Sequence, residues 1–92
     1  MSKKKRPEAA AERCRQALAR VEAAIENHRH RRPEDLSVAV LENIAVELRK
    51  MEGAMDKAVF RPSYGRFLLD WPDEHGLVEY LLGVSQDYER WT

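Results

Sequence analysis

The sequence predicts an all-α fold in which a long antiparallel helical hairpin, over about residues 7–30 and 33–58, packs with two further helices. The short one covers about 62–70 and the C-terminal one about 73–91. Two observations carry this prediction. Apolar residues recur at alternating spacings of three and four along three long segments, the period of one helix face. No stretch shows the sustained period-two alternation of a half-buried strand.

The first helix begins at Pro7, a residue suited to the first helical position. Its predicted apolar seam consists of Ala11, Cys14, Leu18, Val21, Ile25 and His28. Ala10, Ala17 and Ala24 flank that seam at intervals of seven, so a neighbouring helix can approach closely along this side. The helix is expected to end near residues 29–32, where basic side chains suit the negative end of its dipole.

The second helix is predicted to begin at Pro33, with Glu34 and Asp35 in its first turn. Its seam consists of Leu41, Ile44, Leu48, Met51, Met55 and Ala58. Most other residues between 36 and 48 are apolar as well, and a helix that is apolar on most of its circumference needs covering on more than one side. We therefore expect this helix at the centre of the fold, with Val38 and Val46 facing something other than the first helix.

The segment that follows is the least determined. Pro62 can begin a short helix over about 62–70 and Pro72 can end it, but residues 59–72 could equally form a loop. After Pro72, Asp73 is a suitable cap for the last helix. Its seam consists of Leu77, Leu81, Val84, Tyr88 and Trp91.

The charge of the chain is unevenly distributed. The 92 residues contain 16 Lys+Arg and 16 Asp+Glu, a formal net charge of zero. Residues 1–32 nevertheless carry +6 and residues 33–92 carry −6. We interpret residues 1–6 as a disordered basic tail and residues 7–92 as one helical domain. Arg29, Arg31 and Arg32 are expected to meet Glu34 and Asp35.

Composition also limits the function classes. No apolar run approaches the roughly 20 residues of a membrane-spanning helix, so no membrane association is expected. A single cysteine, Cys14, allows no internal disulfide and favours a cytoplasmic location. No phosphate-binding, metalloprotease or nucleophile-elbow spacing occurs. We therefore expect no cofactor, no metal and no enzymatic activity.

The individual residues capable of chemistry have simpler interpretations. Cys14 lies on the apolar seam, where a free cysteine behaves as a small hydrophobic residue. His28 and His30 are two residues apart, so on a helix they point in different directions and do not share a metal. His75 lies next to carboxylates that serve capping and dipole roles at a helix start.

These observations favour a small cytoplasmic module that binds another protein through its helix faces. The partner is a protein of unknown identity or a second copy of the chain, since a dimer would cover the excess apolar surface of the second helix. Val38 and Val46 are the candidate interface residues on that helix. Tyr88 and Trp91 are further candidates, because Tyr and Trp are favoured interface anchors and Trp91 lies near the chain end.

The alternative from another class is a binder of nucleic acid or another polyanion. Lys3, Lys4, Lys5 and Arg6 would supply non-specific phosphate affinity through counterion release. Arg13 and Arg20, seven residues apart, are expected on the outer face of the first helix and would extend this basic surface. Against this alternative, the acidic remainder of the chain would repel a polyanion.

Overall fold

The computed structural model describes residues 7–32, 34, 36–56, 58–73 and 76–91, and within these residues the chain forms four helices and no strand. They are α1 (Pro7–Arg29), α2 (Val38–Ala54), α3 (Tyr64–Leu68) and α4 (Leu77–Trp91). Arg15 of α1 pairs with Glu52 of α2, whereas Glu22, seven residues later in α1, pairs with Arg49, three residues earlier in α2. The two helices therefore run antiparallel, and the all-α prediction is confirmed.

The inward face of α1 is centred on its alanines. Ala10, Ala17 and Ala24 are almost completely buried, together with Cys14 and Val21. Cys14 and Val21 belong to the predicted seam, but its other members are only half-buried, and two of them, Leu18 and Ile25, pack beside the core. The core face is thus rotated towards the alanine row, because α1 packs against both α2 and α4 and the small side chains lie between them.

The connection between α1 and α2 is longer than the sequence predicts. After α1 ends at Arg29, Arg31 adopts the left-handed conformation, and the Arg32 amide donates to the Asn27 carbonyl across that turn. Leu36 is buried in the connection, and Ser37 caps α2 by accepting the Val40 amide at 3.3 Å. α2 therefore begins at Val38, not at residue 33.

The end of α2 also differs from the prediction. Met55 adopts a left-handed conformation with φ of 49°, and its amide donates to the Met51 carbonyl. This termination is of the type that glycine usually provides, and it stops the helix at Ala54 instead of near residue 58. Gly53 lies within the helix and does not end it.

α3 forms a helix, as favoured for this segment, but it is only five residues long. A side chain of α2 holds its first turn in place. The Glu47 carboxylate accepts the backbone amides of Ser63 and Tyr64, both at 2.9 Å, and the Ser63 hydroxyl at 2.6 Å. A distant carboxylate therefore serves as the cap that a local side chain would otherwise provide.

α4 begins at Leu77, four residues later than predicted, yet Asp73 has the predicted capping role. Its carboxylate accepts the backbone amides of Gly76, Val78 and Glu79 at 2.9 to 3.3 Å. Gly76 has a positive φ of 84°, which a side chain would strain, and this glycine allows the chain to turn into the helix.

The core lies where α1, α2 and α4 face one another, and α3 packs against α2 and α4. Tyr64 of α3 is buried, and its hydroxyl donates to the Leu81 carbonyl at 2.7 Å. The sequence predicts α2 as the central helix, but neither hairpin helix is enclosed: α2 packs against α1 and α3, and α1 packs against α2 and α4. One long face of α2 consequently remains exposed.

Candidate functional site

The exposed face of α2 is the surface on which the candidate site is built. It lies directly opposite the helix's buried residues, and all its members are exposed: Ala39, Glu42, Asn43, Val46, Arg49, Lys50 and Gly53. We call this surface the Val46 face. Val46, at its centre, keeps 47% of its surface exposed, while neighbouring Ala45 is buried. Within the described residues, about half of the Val46 surface therefore remains uncovered.

A groove runs between this face and α1. Its volume is about 410 Å³, and residues of both helices line it: Glu22, Ile25, Glu26, Arg29, Glu42, Ala45, Val46 and Arg49. Val38, 37% exposed, lies at the N-terminal end of the same side of α2. The groove thus has apolar residues along its length and charged residues of both signs along its edges.

The charges along the groove are partly paired with one another. Arg49 Nη2 lies 3.2 Å from Glu22 Oε2, and Arg29 Nη1 lies 3.3 Å from Glu26 Oε1. Both pairs are exposed, so each adds little to stability and its members can exchange partners. A docked segment with charges of both signs could therefore be accommodated without burying an unpaired ion.

Tyr88, predicted as an interface residue, belongs to the core. It is 1% exposed, and its hydroxyl donates to the Phe60 carbonyl at 2.8 Å. Burial raises the pKa of this hydroxyl. Trp91, the last described residue of α4, is half-buried. Of the four predicted interface residues, Val38 and Val46 are therefore exposed, Trp91 is half-buried and Tyr88 is buried.

Arg13 and Arg20 both lie on the side of α1 that faces α4, where Arg13 is half-buried, unlike the predicted outer position, and Arg20 is exposed. Arg13 Nε pairs with Asp87 Oδ2 at 2.9 Å. Both guanidinium groups lie over the ring of Tyr80, at 5.0 Å for Arg13 and 4.2 Å for Arg20. Both guanidinium groups therefore have partners within the protein, and Lys3, Lys4, Lys5 and Arg6 lie outside the described residues.

The charge pairs that join the basic and acidic parts of the chain are also not the predicted ones. Glu34 accepts a hydrogen bond from the Asn27 amide, Arg29 pairs with Glu26, and Asp35 lies outside the described residues. Among the described residues, the ion pairs that do cross between the two parts are Arg13 with Asp87, Arg15 with Glu52 and Glu22 with Arg49.

Cys14 is the one nucleophilic side chain that the sequence singles out, and it is buried. Burial, with a smaller contribution from the negative charge of Glu52, raises the pKa of its thiol to about 11. The thiol is consequently protonated at neutral pH and unreactive, as expected of a small hydrophobic residue in a core.

The histidines of the α1 end have separate partners. His28 Nε2 lies 2.7 Å from the Leu36 carbonyl, which ties the connection to the end of α1. His30 Nε2 lies 3.0 Å from Glu26 Oε2. Within the described residues, no three His, Cys, Asp or Glu side chains come close enough to hold a metal ion. His75 lies outside these residues.

Two features of the surface were not predicted. Glu47 has a structural role as the cap of α3, and a second groove of about 580 Å³ lies between α3 and α4. That groove contains Arg66, the highly exposed Leu69 and an Arg61–Glu89 ion pair at 2.8 Å. No sequence signal pointed to either feature, because both depend on where the five-residue α3 docks.

Comparisons of the chain with protein-family models, with curated proteins and with solved structures found no match in any of the three. None of the helices in the described part of the chain is long and apolar enough to cross a membrane.

Proposed function

We propose that this protein is a small helical interaction module that binds another protein through the Val46 face and the adjoining groove, without catalytic chemistry of its own. The observation that carries the proposal is the exposure of Val46 at the centre of α2, opposite the helix's core side. An apolar residue at the centre of an exposed helix face, with charged residues around it, matches the apolar centre and polar rim of protein interfaces.

The shape of the surface supports a helix as the bound element. Two antiparallel helices border the groove, and its apolar residues Ile25, Ala45 and Val46 lie between charged edges. An amphipathic helix recognises such a groove by placing its apolar positions along the bottom and its polar positions at the rim.

A reducing compartment such as the cytoplasm is part of the proposal. The predicted absence of a secretory disulfide framework supports the same location.

Site-specific photo-cross-linking tests the proposal. A benzophenone amino acid replaces Val46 in one variant and Val59 in a matched control, and both are irradiated in cell extract and as purified protein. Val59 is the more exposed valine, at 73% against 47%, so accessibility alone would favour the control. We expect a protein adduct from position 46 that position 59 does not give. Equal labelling from both positions, or no protein adduct from position 46, would refute the proposal.

A further inference from the structure

The apolar and small residues of the Val46 face are arranged symmetrically along α2. Val46 is the ninth of the 17 residues of the helix, and Ala39 and Gly53 lie seven residues to either side of it. If a second α2 packs antiparallel with Val46 against Val46, Ala39 faces the partner's Gly53 at both ends. The two helices then overlap over their whole length of about 25 Å. Small residues at both ends let the backbones approach closely.

The charges on the two flanks of the face are complementary in the same arrangement. Glu42 and Arg49 lie on the flank that borders the groove. Antiparallel packing through Val46 brings Glu42 beside the partner's Arg49, and the two-fold symmetry forms this pair twice. On the other flank, Lys50 lies beside the partner's Asn43. Parallel packing would instead bring Arg49 beside the partner's Lys50, which is repulsive.

We propose that the occupant of the Val46 face is a second copy of this chain, docked antiparallel through α2 about a two-fold axis at Val46. This inference rests on the proposed function and specifies its partner. It is supported by the matched sizes at Ala39 and Gly53 and by the matched charges at Glu42 and Arg49, because a surface that is complementary to itself is what an isologous dimer requires.

Sedimentation velocity of purified protein over a range of concentrations tests this inference, with the variants Glu42→Arg, Arg49→Glu and the double variant. Each single variant places like charges together twice, so we expect the dimer Kd to rise by about tenfold. The double variant reverses both charges and should return the Kd to within about threefold of the original value. Glu79→Arg is the matched control, since it makes the same charge change at an exposed glutamate of α4 and should leave the Kd unchanged.

Three results would overturn the inference: a monomer at every concentration, single variants that behave like Glu79→Arg, or a double variant as weak as the single ones. Circular dichroism melts of each variant check that the variant is folded, so that a weaker dimer is not mistaken for unfolding. If the purified protein is monomeric but position 46 still cross-links to another protein in extract, the proposed dimer is refuted and the proposed interaction function is not. A purified protein that stays monomeric and gives no protein adduct in extract would refute both proposals.

Discussion

The carboxylate of Glu47, in the middle of α2, accepts the backbone amide of Tyr64, the first residue of α3, at 2.9 Å. The contact spans 17 positions of the chain and joins a helix of the hairpin to the short helix α3. Tyr64 in turn donates its hydroxyl to Leu81 of α4. The placement of α3, and of the buried tyrosine that it carries, therefore depends on one side chain of α2.

Replacing Glu47 with alanine is expected to lower the free energy of unfolding by about 2 kcal/mol, because three donors lose a charged acceptor. Urea denaturation followed by circular dichroism measures this loss. Gln86→Ala is the control, since Gln86 is exposed on α4 and its removal should change the stability little. A loss no larger than that of the control would contradict the capping role.

Replacing Ala17 with leucine is expected to destabilise the protein by roughly 1–3 kcal/mol, because Ala17 has no exposed surface and its neighbours cannot move aside freely. Thermal unfolding of Ala17→Leu and of the exposed-site control Ala19→Leu measures the difference. If both variants melt at the same temperature, α1 does not pack against its neighbours through the alanine row.

Stability is expected to fall in alkaline solution, in part because of Cys14. Burial raises the pKa of this thiol to about 11, above its value in the unfolded chain. A group with a raised folded-state pKa contributes its full stability below the unfolded-state pKa, and that contribution is lost as the pH rises through the folded-state value. The loss attributable to Cys14 between pH 8 and pH 11 should be of order 2 kcal/mol.

Urea denaturation of the original chain and of Cys14→Ala at several pH values isolates this contribution from those of the tyrosines and lysines. The stability gap between the two proteins should shrink as the pH rises. A gap that stays constant up to pH 11 would show that the Cys14 thiol ionises as easily in the folded chain as in the unfolded one.

Retention on a heparin column tests the polyanion alternative. Arg13 pairs with Asp87 and Arg20 lies over Tyr80, so Arg13→Gln and Arg20→Gln should not change the salt concentration of elution. Any salt-dependent retention is expected to disappear on deletion of residues 1–6, which removes four basic side chains. If an arginine variant elutes as early as the deletion variant, that arginine of α1 contributes to polyanion binding, contrary to this prediction.

Hydrophobic periodicity was sufficient for the three long helices and their order, because the spacing of apolar residues reports which residues share a face. It did not decide between helix and loop for the short α3. It was less informative about where the helices begin and end. Met55 terminates α2 in a left-handed conformation that usually belongs to glycine, and Leu36 is buried in a connection instead of on a helix. Neither residue type signals such a position, because tertiary contacts decide the outcome.

The candidate site was partly predictable from the apolar spacing of α2. Val46 lies outside the predicted seam of α2, and 47% of its surface is exposed in the structure. Tyr88 and Arg13 were misplaced because their positions depend on how α4 packs, which a single helix pattern does not specify. Tyr88 reaches the Phe60 carbonyl and Arg13 reaches Asp87, two contacts between parts of the chain far apart in sequence.

Disulfide formation at single introduced cysteines tests most directly whether α2 meets a second α2 at Val46. In a Cys14→Ala background, Val46→Cys should form a covalent dimer in a glutathione redox buffer, because the two-fold axis places this residue beside its own counterpart. Ala39→Cys should not, since its counterpart lies about 21 Å away along the helix pair. Cross-linking of Ala39→Cys as fast as that of Val46→Cys, or no cross-linking of Val46→Cys, would contradict the account.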